Sequence, residues 1–326
     1  VPPLIPAGRL AVGLQLPIQA QSKVFAEPWE AAAGLEDIIA IATAADQLGF
    51  FYLGVCDHIA VPRERAATMG TTWYDTMTTL GFLAGITRRI RLLTHIYVAP
   101  LRHPLQLAKA MTTLDVLSGG RAIAGVGAGH VPEEFALTGA DFTRRGKLLD
   151  DAIDVYRAAM ADEFPQHDGE AVSVHDMGVA PRPVQPGGPP VWVGGSSAAA
   201  LRRAGERGDG WIPQGTPRDR MPEQIAQVRN HRRERHGDAP IDLGAMAEPV
   251  YIGQPSWETG RYTLTGSAGE HAERIAAFGA MGVSHVQVKF RSRSAAELLD
   301  QMAAFAADVM PLLALHRPPG TGTVGA

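Results

Sequence analysis

Cysteine is nearly missing from this chain: Cys56 stands alone among 326 residues, so no disulfide can form within it and no CxxC metal or redox pair exists. That composition expects a reducing, cytoplasmic setting. Charge is scarce too, at 20% of residues with a formal net of −4, and without a positive excess nothing calls for nucleic acid as a partner. No apolar run approaches the ~20 residues that span a bilayer, so no membrane association is expected. The first ten residues are proline-containing and lack a basic segment followed by a sustained apolar stretch, which excludes a signal peptide from the reading. Metal-binding patterns are absent as well. No HExxH occurs, and His231 and His236, five apart, are poorly spaced for one helix face.

What is present is apolar and periodic. At 45% hydrophobic residues the chain can bury a large core, either as one barrel or as two smaller domains. Short β-rich runs alternate with longer stretches of helical period along its whole length, the pattern of a parallel sheet with crossover helices. Eight pairs can be counted, which predicts an α/β fold, a (β/α)₈ TIM barrel, over residues 1–317. Strands are expected at 10–16, 50–55, 90–98, 121–126, 191–193, 210–212, 250–252 and 285–288. The first helix carries Leu35, Ile38, Ile39, Ala42 and Ala45 at the spacing of one face. A Pro- and Gly-rich stretch at 166–190, with Val172 and Val174 alternating, reads as an inserted loop or hairpin. A second long segment, 254–267, is placed over the barrel mouth, and 318–326 reads as a disordered tail. The basic cluster Arg229, His231, Arg232, Arg233 and Arg235 reads as a solvated helix face.

In such a barrel the chemistry gathers at the carboxyl ends of the strands. The rule selects Gln15, Asp57 with His58, Thr94 with His95 and Ile96, Gly127 through His130, Gly194 through Ser197, and Gln214, with Trp257 from the mouth segment. The run Gly125 to Gly129 misses the dinucleotide fingerprint because His130 stands where a small residue is needed. Its small residues suit either a flat ring lying close to the backbone or a tight turn. Gly194, Gly195, Ser196 and Ser197 precede an Ala-rich helical run and offer backbone N–H groups and hydroxyls to a phosphate, or a plain serine cap to the helix. Asp57-His58 combines a group that can move protons near neutral pH with a neighbouring carboxylate.

Several segments taken together carry a family resemblance: GFFYLGVCDH at 49–58, IRLLTHIYVAPLRHPLQLAKAMTTLDVLSGGRAIAGVGAGH at 90–130, EEF at 133–135, PRPVQPGGPPVWVGGSS at 181–197, and GERGDGWIP further on. In this order, and over nearly the whole chain, they resemble the luciferase-like superfamily, whose members bind FMN or the deazaflavin coenzyme F420, and most resemble its coenzyme F420-dependent branch. The resemblance implies a non-prolyl cis peptide between His95 and Ile96 that backs the cofactor ring. It implies contact of Asp57, Thr94 and Gly127, Ala128 and Gly129 with that ring, and a phosphate loop at Gly194, Gly195, Ser196 and Ser197. It assigns proton transfer to His58, His130 at another strand end being the second candidate for that role, and implies a homodimer; the strand-end rule and the mouth segment place Gln15, Gln214 and Trp257 in the substrate pocket. Two departures argue against glucose 6-phosphate as substrate. His130 replaces a glutamate of the sugar-phosphate dehydrogenases, and their phosphate-binding lysine is missing near Pro217.

The reading that follows is hydride transfer between coenzyme F420 and a small organic substrate, the protein supplying placement and electrostatics. Its alternatives are an FMN-dependent monooxygenase that uses reduced flavin and O₂, and a non-catalytic coenzyme carrier. Specificity is expected to reside in segments 166–190 and 254–267.

Overall fold

The architecture was determined from a computed structural model that describes residues 2–315. Eight parallel strands close on themselves: β1 (Ala11–Gln15), β2 (Tyr52–Val55), β3 (Arg91–Thr94), β4 (Ala122–Gly127), β5 (Val191–Gly194), β6 (Gly210–Ile212), β7 (Asp242–Met246) and β8 (His285–Val288). Each pairs with the next, and β1 pairs with β8 to complete the ring. The major helices are α1 (Leu35–Leu48), α2 (Thr76–Ile86), α3 (Pro104–Ser118), α4 (Arg145–Ala161), α5 (Ala198–Arg207), α6 (Met221–His236), α7 (Ala268–Ala280) and α8 (Ala295–Ala304). Their starts follow local chemistry: the side chains of Asp75, Ser197, Ser267 and Ser294 cap α2, α5, α7 and α8 by accepting a backbone N–H. This is the (β/α)₈ barrel expected from the alternation.

Strand residues divide into two cores because successive side chains point to opposite faces. Val12, Leu14, Leu53, Val55, Leu92, Val126, Val193 and Val286 face outward into the main core under the helices. Tyr52, Leu93, Ile123, Trp192 and Ile212 face inward and fill the barrel. The interior also holds His285, stacked on Trp192 with ring centroids 4.1 Å apart. Such large side chains fit only because their neighbours are bare. A Cβ on Gly13 would overlap the Tyr52 ring, one on Gly210 would overlap Trp192, and one on Gly244 would lie 2.5 Å from the His285 ring.

Three expectations are corrected. The seventh strand is not 250–252 but Asp242–Met246; Val250–Ile252 instead forms a small parallel pair with Leu264–Gly266. A charged residue and a glycine on the inward face hide β7 from a hydrophobicity pattern, although Gly244 is there to admit His285. The third strand is not continuous over 90–98. It stops at Thr94, bulges at His95 and Ile96, and resumes as Tyr97–Val98, which pairs with the end of β4. The segment 254–267 does not cover the mouth: Trp257 packs against Tyr251 and donates its indole N–H to Glu297 near the start of α8. The insertion at 166–190 does contain a hairpin, His167–Asp168 against Ser173–Val174. It runs along α4, where the Asp151 carboxylate accepts the N–H groups of Ala171 and Val172. The expected tail at 318–326 lies outside the described residues.

The floor of the barrel is closed by the chain's beginning. Ile5 is buried in the inner core, and the N–H groups of Leu4 and Ile5 donate to the carboxylate of Asp242 at 2.8 and 3.3 Å. Burial raises the Asp242 pKa to about 6, and those hydrogen bonds only partly oppose it. A carboxyl whose pKa is raised on folding favours the native state most fully below its unfolded value of about 4, and that contribution is lost as pH rises through 6. Asp242→Asn imitates the protonated acid. It should match the native protein in stability at pH 4 and exceed it at pH 8 by up to about 3 kcal/mol, as measured by denaturant unfolding at both pH values.

Candidate active site

The carboxyl ends of the strands surround a cavity of about 500 Å³, within the usual size of small-molecule and cofactor sites. Gln15 at the end of β1, Gly127 of β4, Gly194 of β5, Gln214 after β6 and Met246 of β7 all line it. Its centre is occupied by the bulge after β3. The His95–Ile96 peptide is cis, and the Ile96 side chain rests between β4 and β5. A Cβ on Gly127 would come within 2.8 Å of Ile96 Cγ2, and one on Gly194 within 2.7 Å of Cγ1. Both glycines are therefore required by the side chain opposite them. Together they form an apolar ledge beneath the open space.

Asp57 fastens this bulge to the loop after β2. Its carboxylate takes two hydrogen bonds from the Arg102 guanidinium, at 2.6 and 2.8 Å, and one from the N–H of Val98 at 2.8 Å. The Thr76 hydroxyl adds a longer contact of 3.3 Å. Burial alone would lower the Arg102 pKa, but the bond and charge of Asp57 outweigh it and leave the guanidinium above its usual range. Asp57 does line the cavity, yet its oxygens are engaged within the protein, so it serves the ledge before it serves any ligand.

His58 is the other half of that dipeptide and faces different partners. Its Nδ1 lies 2.8 Å from a carboxylate oxygen of Glu134, whose second oxygen accepts the N–H groups of Ile59 and Ala60. Burial would raise the Glu134 pKa, but the hydrogen bond and charge of His58 and the two amides bring it below the usual carboxylate range. An ionised Glu134 fixes the tautomer with Nδ1–H toward it, and Nε2 then has no partner among the described residues. Trp73 packs edge-on against the imidazole at 4.4 Å, and His130 does so at 5.7 Å. Burial first, and then the neighbouring His58, lower the His130 pKa, so this second imidazole is neutral at neutral pH.

A cationic end completes the cavity. Arg145, Arg203, Ser197 and Gly195 line it together. Arg203 is held by Asp150 at 2.6 Å and by the carbonyl of Gly146, while Arg145 stacks on Phe142. The Ser197 hydroxyl oxygen caps α5 by accepting the N–H of Ala200, and its O–H can still donate into the cavity.

Of the residues selected from sequence, the cavity brings together Gln15, Asp57, His58, His95, Ile96, Gly127, Ala128, Gly129, His130, Gly194, Gly195, Ser197 and Gln214. Three fall elsewhere. Thr94 is buried with its hydroxyl on the carbonyl of Gly125, Ser196 bonds the Thr216 hydroxyl at 2.5 Å, and Trp257 lies against α8. Sequence reasoning gave no role to Glu134, Trp73, Arg102, Arg145 or Arg203. Glu134 did leave a trace: Pro132, Glu133 and Glu134 in succession mark a helix start, here the short helix Pro132–Thr138. The roof is also unexpected. Loops after β1 and β2 pair across an Ala20–Trp73 bridge and supply Ala20, Ser22, Phe25 and Trp73 to the walls.

Removing Arg102 would leave the Asp57 carboxylate buried with only neutral donors. Arg102→Ala should destabilise the fold by roughly 3 to 5 kcal/mol, the cost of breaking a buried ion pair from one side, read as a shift in the urea midpoint.

Comparison with known proteins bears on the fold and the family. A curated relative from Mycobacterium tuberculosis, an uncharacterized protein, is 31% identical over 221 residues, covering 64% of this chain and 76% of its own length. The F420-dependent glucose-6-phosphate dehydrogenase of Intrasporangium calvum is 26% identical and covers 87% of this chain and 97% of its own. Among solved structures, monooxygenase RslO1 from Streptomyces bottropensis superposes with a TM-score of 0.77 at 20% identity, covering 93% of this chain and 99% of that one. The coenzyme F420-dependent tetrahydromethanopterin reductase of Methanopyrus kandleri does so with a TM-score of 0.72 at 19% identity and the same coverage. At such identities the two structures speak to the fold. Residues 13–259 match the model of the luciferase-like monooxygenase family, and the chain belongs to that family.

Proposed function

We propose that this protein is an oxidoreductase that uses the deazaflavin coenzyme F420 to transfer a hydride to or from a small organic substrate, with His58 as the group that moves the accompanying proton. The observation that carries the proposal is the His58–Glu134 pair standing beside the Ile96 ledge. The residues present fit such a coenzyme. Gly127 and Gly194 clear the space over which a flat ring would lie on Ile96, and the indole N–H of Trp73, buried without a partner, offers a donor at the cavity wall. Ser197, the first turn of α5, Arg145 and Arg203 would meet its anionic end.

When bound, a deazaflavin supplies a two-electron hydride carrier with carbon where flavin has N5. The chain's own groups do the rest. Glu134 stays ionised and holds the imidazole with Nε2 directed away from itself, so His58 can take a hydroxyl proton from a substrate being oxidised or return one to a substrate being reduced. His130, kept neutral, is the second candidate for that proton. Trp73 packs edge-on against the imidazole, and the Ala20–Trp73 bridge holds it there.

An FMN-dependent monooxygenase is the second reading, favoured by the family's description and by the same ledge and cationic end, which would suit an FMN ring and its phosphate. Titration of the purified protein with each coenzyme, followed by fluorescence, separates the two. Coenzyme F420 should bind at least ~10-fold more tightly than FMN. Tight binding of FMN alone, with turnover that requires O₂, would overturn the proposal. In the coenzyme F420-loaded protein, His58→Ala should slow turnover at least ~100-fold while coenzyme affinity changes little. Unchanged turnover would pass the role to His130.

A further inference from the structure

A second, smaller space adjoins the active-site cavity. It measures about 80 Å³ and shares Gln15, Ala20, Phe25 and Met246 with the main cavity as common walls. The rest of its surface is mainly apolar: Leu14, Leu16, Pro17, Trp29, Phe290 and Leu298. We propose that this chamber receives an alkyl or alicyclic end of the substrate, about three carbons in extent, and so makes the enzyme selective for substrates with an apolar arm. The inference rests on the oxidoreductase reading for what happens at the other end of the molecule.

The charges around the chamber argue for an apolar occupant. Glu27 is bound by Arg291 at 2.8 Å and by Lys289 at 3.3 Å, and Lys289 also donates to the carbonyl of Phe25. Glu30 accepts the N–H groups of Ile18 and Glu27, both at 2.7 Å. These two acids and two bases balance, so an ionic ligand group would find no uncompensated charge to offset the cost of its desolvation. Trp29 has its indole N–H on the Ser292 hydroxyl. Among the described residues that line the chamber, Gln287 Oε1 is buried without a partner and can accept one hydroxyl or N–H carried by the arm; Nε of Arg291, also without a partner, belongs to a residue outside the lining.

The placement is consistent with a substrate reaching across the mouth. In the ring of strands, β2 is followed by β1 and then by β8. His58 follows β2, while the chamber lies at β1 and β8, so an arm running from His58 toward it passes Gln15, Ala20 and Phe25. The polar reacting end and the apolar end are thereby separated. Size sets the limit: a dry cavity of ~150 Å³ holds a benzene ring, so this one takes about half that many carbons.

The test uses methyl ketones from acetone to 2-nonanone as probes of the coenzyme-free protein, by calorimetry. Affinity should rise about fourfold with each added methylene over roughly three of them, then level off. Leu298→Trp fills the chamber without touching the main cavity. It should abolish the rise and leave acetone binding unchanged. A flat series in the native protein, or an equal rise in the variant, would overturn the inference; the native series alone decides the matter if the variant does not fold. Turnover of the same ketones and their alcohols with coenzyme F420 separates the two levels. Absence of any turnover counts against the oxidoreductase reading, while turnover without chain-length preference counts against the chamber.

Discussion

Ile96 can occupy the middle of the barrel mouth only because β4 and β5 present no side chain there. The ledge that lines the cavity follows from this one steric fit between a branched side chain and two glycines. A methyl group at either position would compete with Ile96 at 2.7 to 2.8 Å, closer than packed carbon atoms tolerate. The Asp57–Arg102 pair then fixes the bulge from outside, since the same carboxylate also holds the N–H of Val98. Two adjacent residues after β2 thus divide the labour. Asp57 secures the floor, and His58 is left to face the cavity with Glu134 behind it.

The way charge is spent matches this arrangement. Few charged residues are available, and many of the buried ones tie backbone segments together. Arg232 lies within the basic run on α6, but its guanidinium is buried and donates to the carbonyls of Gly208, Ala239 and Pro240, while Arg229, Arg233 and Arg235 remain exposed. Arg121 likewise binds carbonyls of Ala84, Thr87, Ser118 and Ile90. Such arginines act as multi-pronged donors whose charge is met by carbonyl dipoles.

How much of this was legible in the sequence depended on which face of a strand carried the signal. Outward faces of β1 to β5 are apolar and packed under helices, so their runs stand out and the eightfold alternation can be counted. β7 escapes because its inward face is Asp242, Gly244 and Met246, chosen for a floor contact, for the bulk of His285 and for the cavity wall. The glycines and histidines at strand ends were readable because the barrel rule restricts where chemistry can occur. Glu134 was not, since its partner His58 lies 76 residues away and no local spacing joins them. Trp257 misled for the opposite reason: an aromatic residue in a long loop looks like a lid, but its indole found a closer acceptor in Glu297.

The barrel interior decides where protons can go. Burial lowers the pKa of His285 to about 3 and that of His95 to about 4, so both are neutral over the whole range in which the protein would work. Cys56 is pushed the other way by its burial, to about 12, and stays a thiol. Beside the ledge, then, these three groups keep one protonation state near neutrality, and the ion pair of Asp57 with Arg102 is closed on itself; the raised carboxyl of Asp242 lies at the other end of the barrel, against Leu4 and Ile5. On the proposed function, proton exchange with a bound substrate falls to the rim where His58 and His130 stand. On that same reading, a flat ring held over Ile96 would rest on a neutral, apolar floor with its proton partner on one side only, and a substrate would have to approach from the side of His58.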